Sequence, residues 1–164
     1  MAVDYFLKID GVAGESRDSK HKDEIELQSF SWGAHQVTPQ AGGGGGGAGA
    51  GKVSMQDFHF VMRTNKASPK LFLACASGQH LKSAVLTARK AGKDQQEFLV
   101  YKFTDLLVSS YQTGGSEGGD VPIDQISFNF AKIETSYKPQ DATGKVGTAV
   151  TAGWDVKANK ALKI

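Results

Sequence analysis

The sequence predicts a mainly β protein, a β-barrel of two packed sheets with one short flanking α-helix and a long glycine-rich extended loop. Three observations carry the prediction. Apolar and polar residues alternate with period two along several segments, only one segment has the punctuation of a helix at both ends, and glycine-rich stretches separate the strands.

From Val3 to Ile9, the residues Val3, Tyr5, Leu7 and Ile9 fall on one side of an extended chain and Asp4 and Lys8 on the other. Gly11 to Asp23 is polar and reads as a loop before a second strand, Glu24 to Trp32. In that strand Ile25 and Leu27 share one face, and Phe30 and Trp32 the other. Ala41 to Gly51 holds only glycine and alanine, whose backbone loses too much entropy to order alone, and it reads as the long loop. A third strand, Met55 to Arg63, sets Phe58, Phe60 and Met62 against Asp57, His59 and Arg63. The helix follows, with Ser68 expected to cap it, Pro69 suited to its first turn and Gly78 to its left-handed stop. A helix this short is marginal in water and must dock on the sheet. Leu81 to Lys90 and Glu97 to Tyr111 then form a hairpin around Ala91-Gly92-Lys93-Asp94. After the loop Gly114 to Gly119, Ile126 to Tyr137 and Val146 to Val156 complete seven or so strands in a single domain, residues 1–164.

Composition narrows the function. One cysteine, Cys75, allows no internal disulfide and no multi-thiolate metal site, and its apolar helical neighbours make it a core residue. Nineteen basic and seventeen acidic residues are mixed along the chain, so no basic stripe forecasts nucleic acid. Asp4, Lys8 and Asp10 interrupt the first ten residues, which gives no signal-peptide core, and no run approaches the roughly 20 apolar residues of a membrane span. Any export is expected to use another machine.

Motifs that resemble chemistry have simpler readings. Gly42, Gly44 and Gly47 match a dinucleotide pattern that any glycine run satisfies. Gly46, Gly51 and Lys52 match a phosphate-binding loop, but Val53 stands where a hydroxyl should hold magnesium, and strand periodicity follows. A nucleotide-binding protein using Gly46 to Lys52 is the alternative function, and a lectin-like β-sandwich a further rival. His21, His35, His59 and His80 lack metal-ligand spacing and read as surface or barrel-wall residues. Asp23, Glu24 and Glu26 read as solvated strand charges. The basic runs Lys20-His21-Lys22 and Lys157, Lys160, Lys163 are likewise expected to be solvated.

Four stretches together resemble the haemolysin-coregulated protein (Hcp) family. They are Asp4-Tyr5-Phe6-Leu7-Lys8-Ile9-Asp10-Gly11 with Gly14-Glu15-Ser16 and Lys20-His21-Lys22; Ser31-Trp32-Gly33; Ser54 to Phe60 leading to Ala67-Ser68-Pro69-Lys70-Leu71; and Gly153 to Lys160. The resemblance implies a non-enzymatic tube subunit of the bacterial type VI secretion system, without cofactor or metal, and a fold similar to phage tail-tube proteins. It implies hexameric rings stacked into a hollow tube inside a contractile sheath. A spike of the VgrG type caps the tube, and effector proteins ride with it from the cytoplasm into a neighbouring cell. On that footing the loop from Gln36 to Val53 is long enough to reach the next ring, with Gln36, Gln40, Gly42, Gly47, Gly51 and Lys52 as its stacking residues. Ser29 and Ser31, small and polar and opposite Phe30 and Trp32, are candidates for the lumen wall that meets effectors.

Overall fold

β1 (Val3–Ile9) opens the chain in the computed structural model, which describes residues 2–37, 52–92 and 95–164. Its neighbours are β2 (Ile25–Leu27) on one side and β7 (His80–Lys90) on the other, both antiparallel. β7 pairs with β8 (Glu97–Gly114), and β8 with β9 (Ile123–Tyr137). The first half of β9 pairs with β6 (Phe58–Arg63), which pairs with β3 (Ser29–Ser31). Only Gln28 separates β2 from β3, and its N–H donates to Val61 O at 2.8 Å. The circuit from β1 through β7, β8, β9, β6 and β3 back to β2 therefore closes the sheet into a barrel and removes those strand edges.

Closure explains the first departure from the sequence reading. The single strand expected over 24–32 is two strands, because the chain turns the barrel corner at Gln28 and changes partner from β1 to β6. The segment expected from Met55 to Arg63 also divides. β5 (Val53–Met55) pairs with β4 (Ala34–Gln36) in a separate two-stranded sheet, and β6 begins only at Phe58. The final strand is β10 (Val150–Asp155), not a run from Val146, which makes only an isolated bridge to Gln140. β10 pairs with the second half of β9, taking over the edge that β6 leaves, and carries the two-residue β11 (Lys160–Ala161).

Alternation fills the barrel. Phe58, Phe60, Phe103 and Phe128 are each at most 1% exposed, and the rings of Phe58, Phe103 and Phe128 meet at 4.8 to 5.2 Å. Each such ring contributes about 2–3 kcal/mol of burial, so this cluster is the energetic centre of the fold. The helix α1 (Ser68–Ser77) packs beside β8, where Phe72 meets Tyr111 edge-on at 5.9 Å. Gly78 ends it in the left-handed region at φ 68°, as expected. Its start is a correction: Ser68 does not cap it. Ala67 occupies the cap position, Asn65 Oδ1 accepts from the Ala67 N–H at 2.8 Å, and the Ser68 hydroxyl instead reaches Asp124. Cys75 is half-buried against the core.

Candidate assembly and cargo surfaces

The strand registers that turn Phe30 toward the core, where it is half-buried, also expose Ser31. Phe30, Phe60, Ile126 and Tyr111 stand side by side across β3, β6, β9 and β8 and face inward. One residue along, Ser31, His59, Ser127 and Ser110 form the next row, and period two turns that row outward. His59 Nδ1 lies 3.0 Å from Ser127 Oγ, and Ser109 Oγ donates to Asp57 Oδ2 at 2.5 Å on the same wall. Ser29 and Ser31 are both exposed. Ser31 thus belongs to a row of hydroxyl and imidazole groups able to form hydrogen bonds, and Ser29 lies two residues along the same strand, opposite Val61.

The opposite behaviour occurs where β9 and β10 leave the barrel. Phe103, Ile133 and Trp154 form one row across β8, β9 and β10. Tyr101, Thr135 and Ala152 form the next, and Leu99, Tyr137 and Val150 the last. The inward face is buried at Ile133, 4% exposed, but open at Tyr137, 49%, and Val150, 68%. Beside this stripe, a cleft of about 360 Å³ separates it from the β4–β5 hairpin, with Trp32, Val53 and Met55 on the far wall. Trp154 Nε1 is buried there without a hydrogen-bond partner among the described residues. β11 covers only Trp154 and Asp155, so residues 150–152 keep an unpaired outer edge among the described residues.

Of the expected stacking residues, Gln36 ends β4 and Lys52 precedes β5, and both are exposed. Gln40, Gly42, Gly47 and Gly51 lie outside the described residues, as does most of the Gly46 to Lys52 segment. The residues after Lys52 form strand β5, whereas a phosphate cradle of that type needs a helix N-terminus. Among the described residues no group of three or more His, Cys, Asp or Glu side chains could hold a metal ion, and no helix is long and apolar enough to cross a membrane.

Sequence reasoning missed a buried polar network that fixes residues 12–24 to the barrel. Gly14 lies against β2 so closely that a Cβ would sit 2.4 Å from Glu24 O. Asp18 receives both Arg89 Nη1 at 2.9 Å and Arg89 Nη2 at 2.8 Å, and that guanidinium, followed by the Lys20 N–H, holds its carboxyl well below the usual range. Arg89 in turn is raised, first by Asp18. His21 is buried rather than at the surface, stacked on Phe6 and bonded to Glu24 and Glu97. Glu24 is therefore not a solvated charge, although Asp23, Glu26, Lys20 and Lys22 are exposed. Lys157, Lys160 and Lys163 are exposed too. The legible signal was Arg89, which shares an alternation face with Thr87 inside a strand and so requires a carboxylate partner.

The described residues thus form a closed β-barrel with one docked helix, a strand extension past the barrel and a two-stranded arm of β4 and β5. The family described as type VI secretion system effector, Hcp, matches residues 6–137. The chain is 45% identical over 161 residues to Protein hcp1 of Pseudomonas aeruginosa, covering 97% of this chain and 98% of that one. Its structure is similar to Hcp1 from Salmonella typhimurium, with a TM-score of 0.81 at 39% identity over 99% of this chain and 100% of that one. A solved type six secretion system protein matches at a TM-score of 0.90 and 37% identity, covering 98% of this chain and 100% of that one. The chain belongs to the Hcp family of type VI secretion proteins.

Proposed function

We propose that copies of this chain close into hexameric rings that stack into the hollow inner tube of a type VI secretion system, driven by a contractile sheath and capped by a VgrG-type spike. One observation carries this reading: the core-facing stripe of β9 and β10 continues past the barrel to the exposed pair Tyr137 and Val150, beside an unpaired strand edge. An apolar face next to unpaired backbone groups gains most from a second chain, and a head-to-tail contact of this kind generates a ring when its rotation closes. The cleft bounded by Trp32, Met55 and Trp154 is the natural receptor for that neighbour.

The wall around Ser29 and Ser31 then lines the lumen and holds effector proteins weakly, as suits cargo that must be released. Ring stacking uses the segment from Gln36 to Lys52, including Gln40, Gly42, Gly47 and Gly51. Deleting residues 42–47 leaves rings but no tubes, and normal tubes from that variant would refute the stacking role. On this reading the protein acts by assembly rather than by catalysis. Negative-stain micrographs of the purified protein test the central claim: annular particles are expected, and a lone protomer at every concentration would overturn it.

A further inference from the structure

The helix α1 is apolar on two faces. Ser68, Leu71 and Ala74 are buried against the barrel, as a docked helix requires. Pro69, Phe72, Leu73 and Ala76 recur at the helical spacing i, i+3, i+4, i+7 on another side, and all four are exposed. Phe72 is 56% and Leu73 59% exposed, while the one charged residue of the helix, Lys70, stands to the side of that stripe. A second apolar stripe of this kind marks a surface that another chain covers.

The stripe and the cleft lie diagonally across the β8–β9 pair. β7 stops pairing with β8 at Leu107, and beyond that point α1 packs beside β8, with Phe72 against Tyr111. β6 stops pairing with β9 at Phe128, and beyond that point β10 takes the edge, with Trp154 opposite Ile133 on the cleft wall. Tyr111 pairs with Ile126. From Ile126 to Ile133 the strand advances about 23 Å at roughly 3.3 Å per residue. One chain therefore cannot bring its own stripe into its own cleft. Because the two sites also lie on opposite edges, a single partner cannot use both at once, so contact runs head to tail and each end of a row keeps one site open until a ring closes.

Stripe and cleft match in size and character. The cleft, about 360 Å³, stands near the small end of ligand sites, roughly 300–1,000 Å³, and suits a pair of side chains. Trp32, Val53, Met55, Ile133, Ala152 and Trp154 line it, and none of its lining residues is charged, so docking of the stripe desolvates no ion. A stable interface draws about 20–30 residues from each partner. Tyr137, Val150 and the short β10 edge supply far fewer, and α1 is the apolar surface that adds to them. We propose that the Phe72 and Leu73 stripe of one copy seats in the Trp32, Met55 and Trp154 cleft of the next. The inference rests on the ring reading above and names the part of the neighbour that the cleft receives.

Cross-linking of full chains tests the docking, in a Cys75→Ala background so that the only thiols are those introduced. Leu73→Cys chains coexpressed with Met55→Cys chains should be joined in mixed pairs by a short bismaleimide, and either variant alone should stay unlinked. Annular particles without mixed pairs, or pairs formed equally by one variant alone, overturn the docking and leave the ring reading standing. Mixed pairs in a protein that forms open rows and no annular particles keep the docking and sink closure into a ring. Leu73→Asp supplies a second readout, since the exposure of Leu73 leaves the core intact. Its melting temperature should match wild type while its size-exclusion peak moves from ring to protomer, and undiminished rings from it also overturn the docking.

Discussion

Ser68 Oγ donates to Asp124 Oδ2 at 2.5 Å, joining the first residue of α1 to a carboxylate with no exposed surface. Thr64 Oγ1 at 2.9 Å and Tyr111 OH at 3.3 Å complete a set of three hydroxyl donors around it. Burial first, and then the Asp124 charge, pushes the Tyr111 hydroxyl above its ordinary value. The helix has no side-chain cap of its own kind at Ala67, so this carboxylate is what ties its start to β9. In Asp124→Asn, one amide half must face a hydroxyl that previously donated to an acceptor. Urea unfolding should show a loss of about 2–3 kcal/mol for that variant and about 1–2 kcal/mol for Ser68→Ala. Equal stability of Asp124→Asn and wild type would remove this carboxylate from the fold's energetics.

The pair of Asp18 and Arg89 predicts how the fold responds to acid. The folded Asp18 carboxyl titrates well below its ordinary value near 3.8, through the Arg89 hydrogen bonds and then the Lys20 N–H. A depressed folded value means that the stabilisation is complete above the unfolded value and fades as pH falls below it. Asp18→Asn should therefore be less stable than wild type at neutral pH, and the difference should shrink toward about pH 2. Urea midpoints measured at several pH values check this, and a difference independent of pH contradicts it.

Val150 is 68% exposed and Tyr137, its register partner, 49%, so neither supports the core of a single chain. Val150→Asp should fold with an unchanged melting temperature while shifting the size-exclusion profile from ring to protomer. A change of this kind at an interface centre costs roughly 2 kcal/mol or more per contact, repeated around a ring. Rings of undiminished stability would mean that the neighbour docks elsewhere.

Ser31 stands in the outward row with His59 and Ser127 and carries no core contact. Ser31→Arg should preserve rings and reduce co-purifying effector severalfold, since a long charged side chain displaces a weakly bound polar surface. An unchanged effector load counts against the lumen assignment.

Much of this was readable from the chain because it is local. Val3 to Ile9, Leu81 to Lys90 and Glu97 onward alternate with period two, and the strands observed there differ by a residue or a few at their ends. Gly78 stops the helix for a reason confined to one residue, the left-handed φ that a Cβ resists. Ser68 misled because serine before proline reads as a cap, while its true partner lies 56 residues away. His21 misled in the same manner, since its two lysine neighbours are exposed, while the Phe6 ring it stacks on and Glu97, 76 residues on, are distant in sequence.

The sequence by itself determined the strand-rich class, the single helix and its stop, the alternation that separates Phe30 from Ser31, and the family. Those properties follow from neighbouring residues and from the period of an extended chain. Only the tertiary structure decided that Gln28 turns a corner, that β10 takes over from β6 along β9, and that Arg89, Asp18, His21 and Glu97 meet in one polar network. Such contacts join distant segments whose approach depends on register and closure, and no local pattern encodes which strand will arrive opposite which.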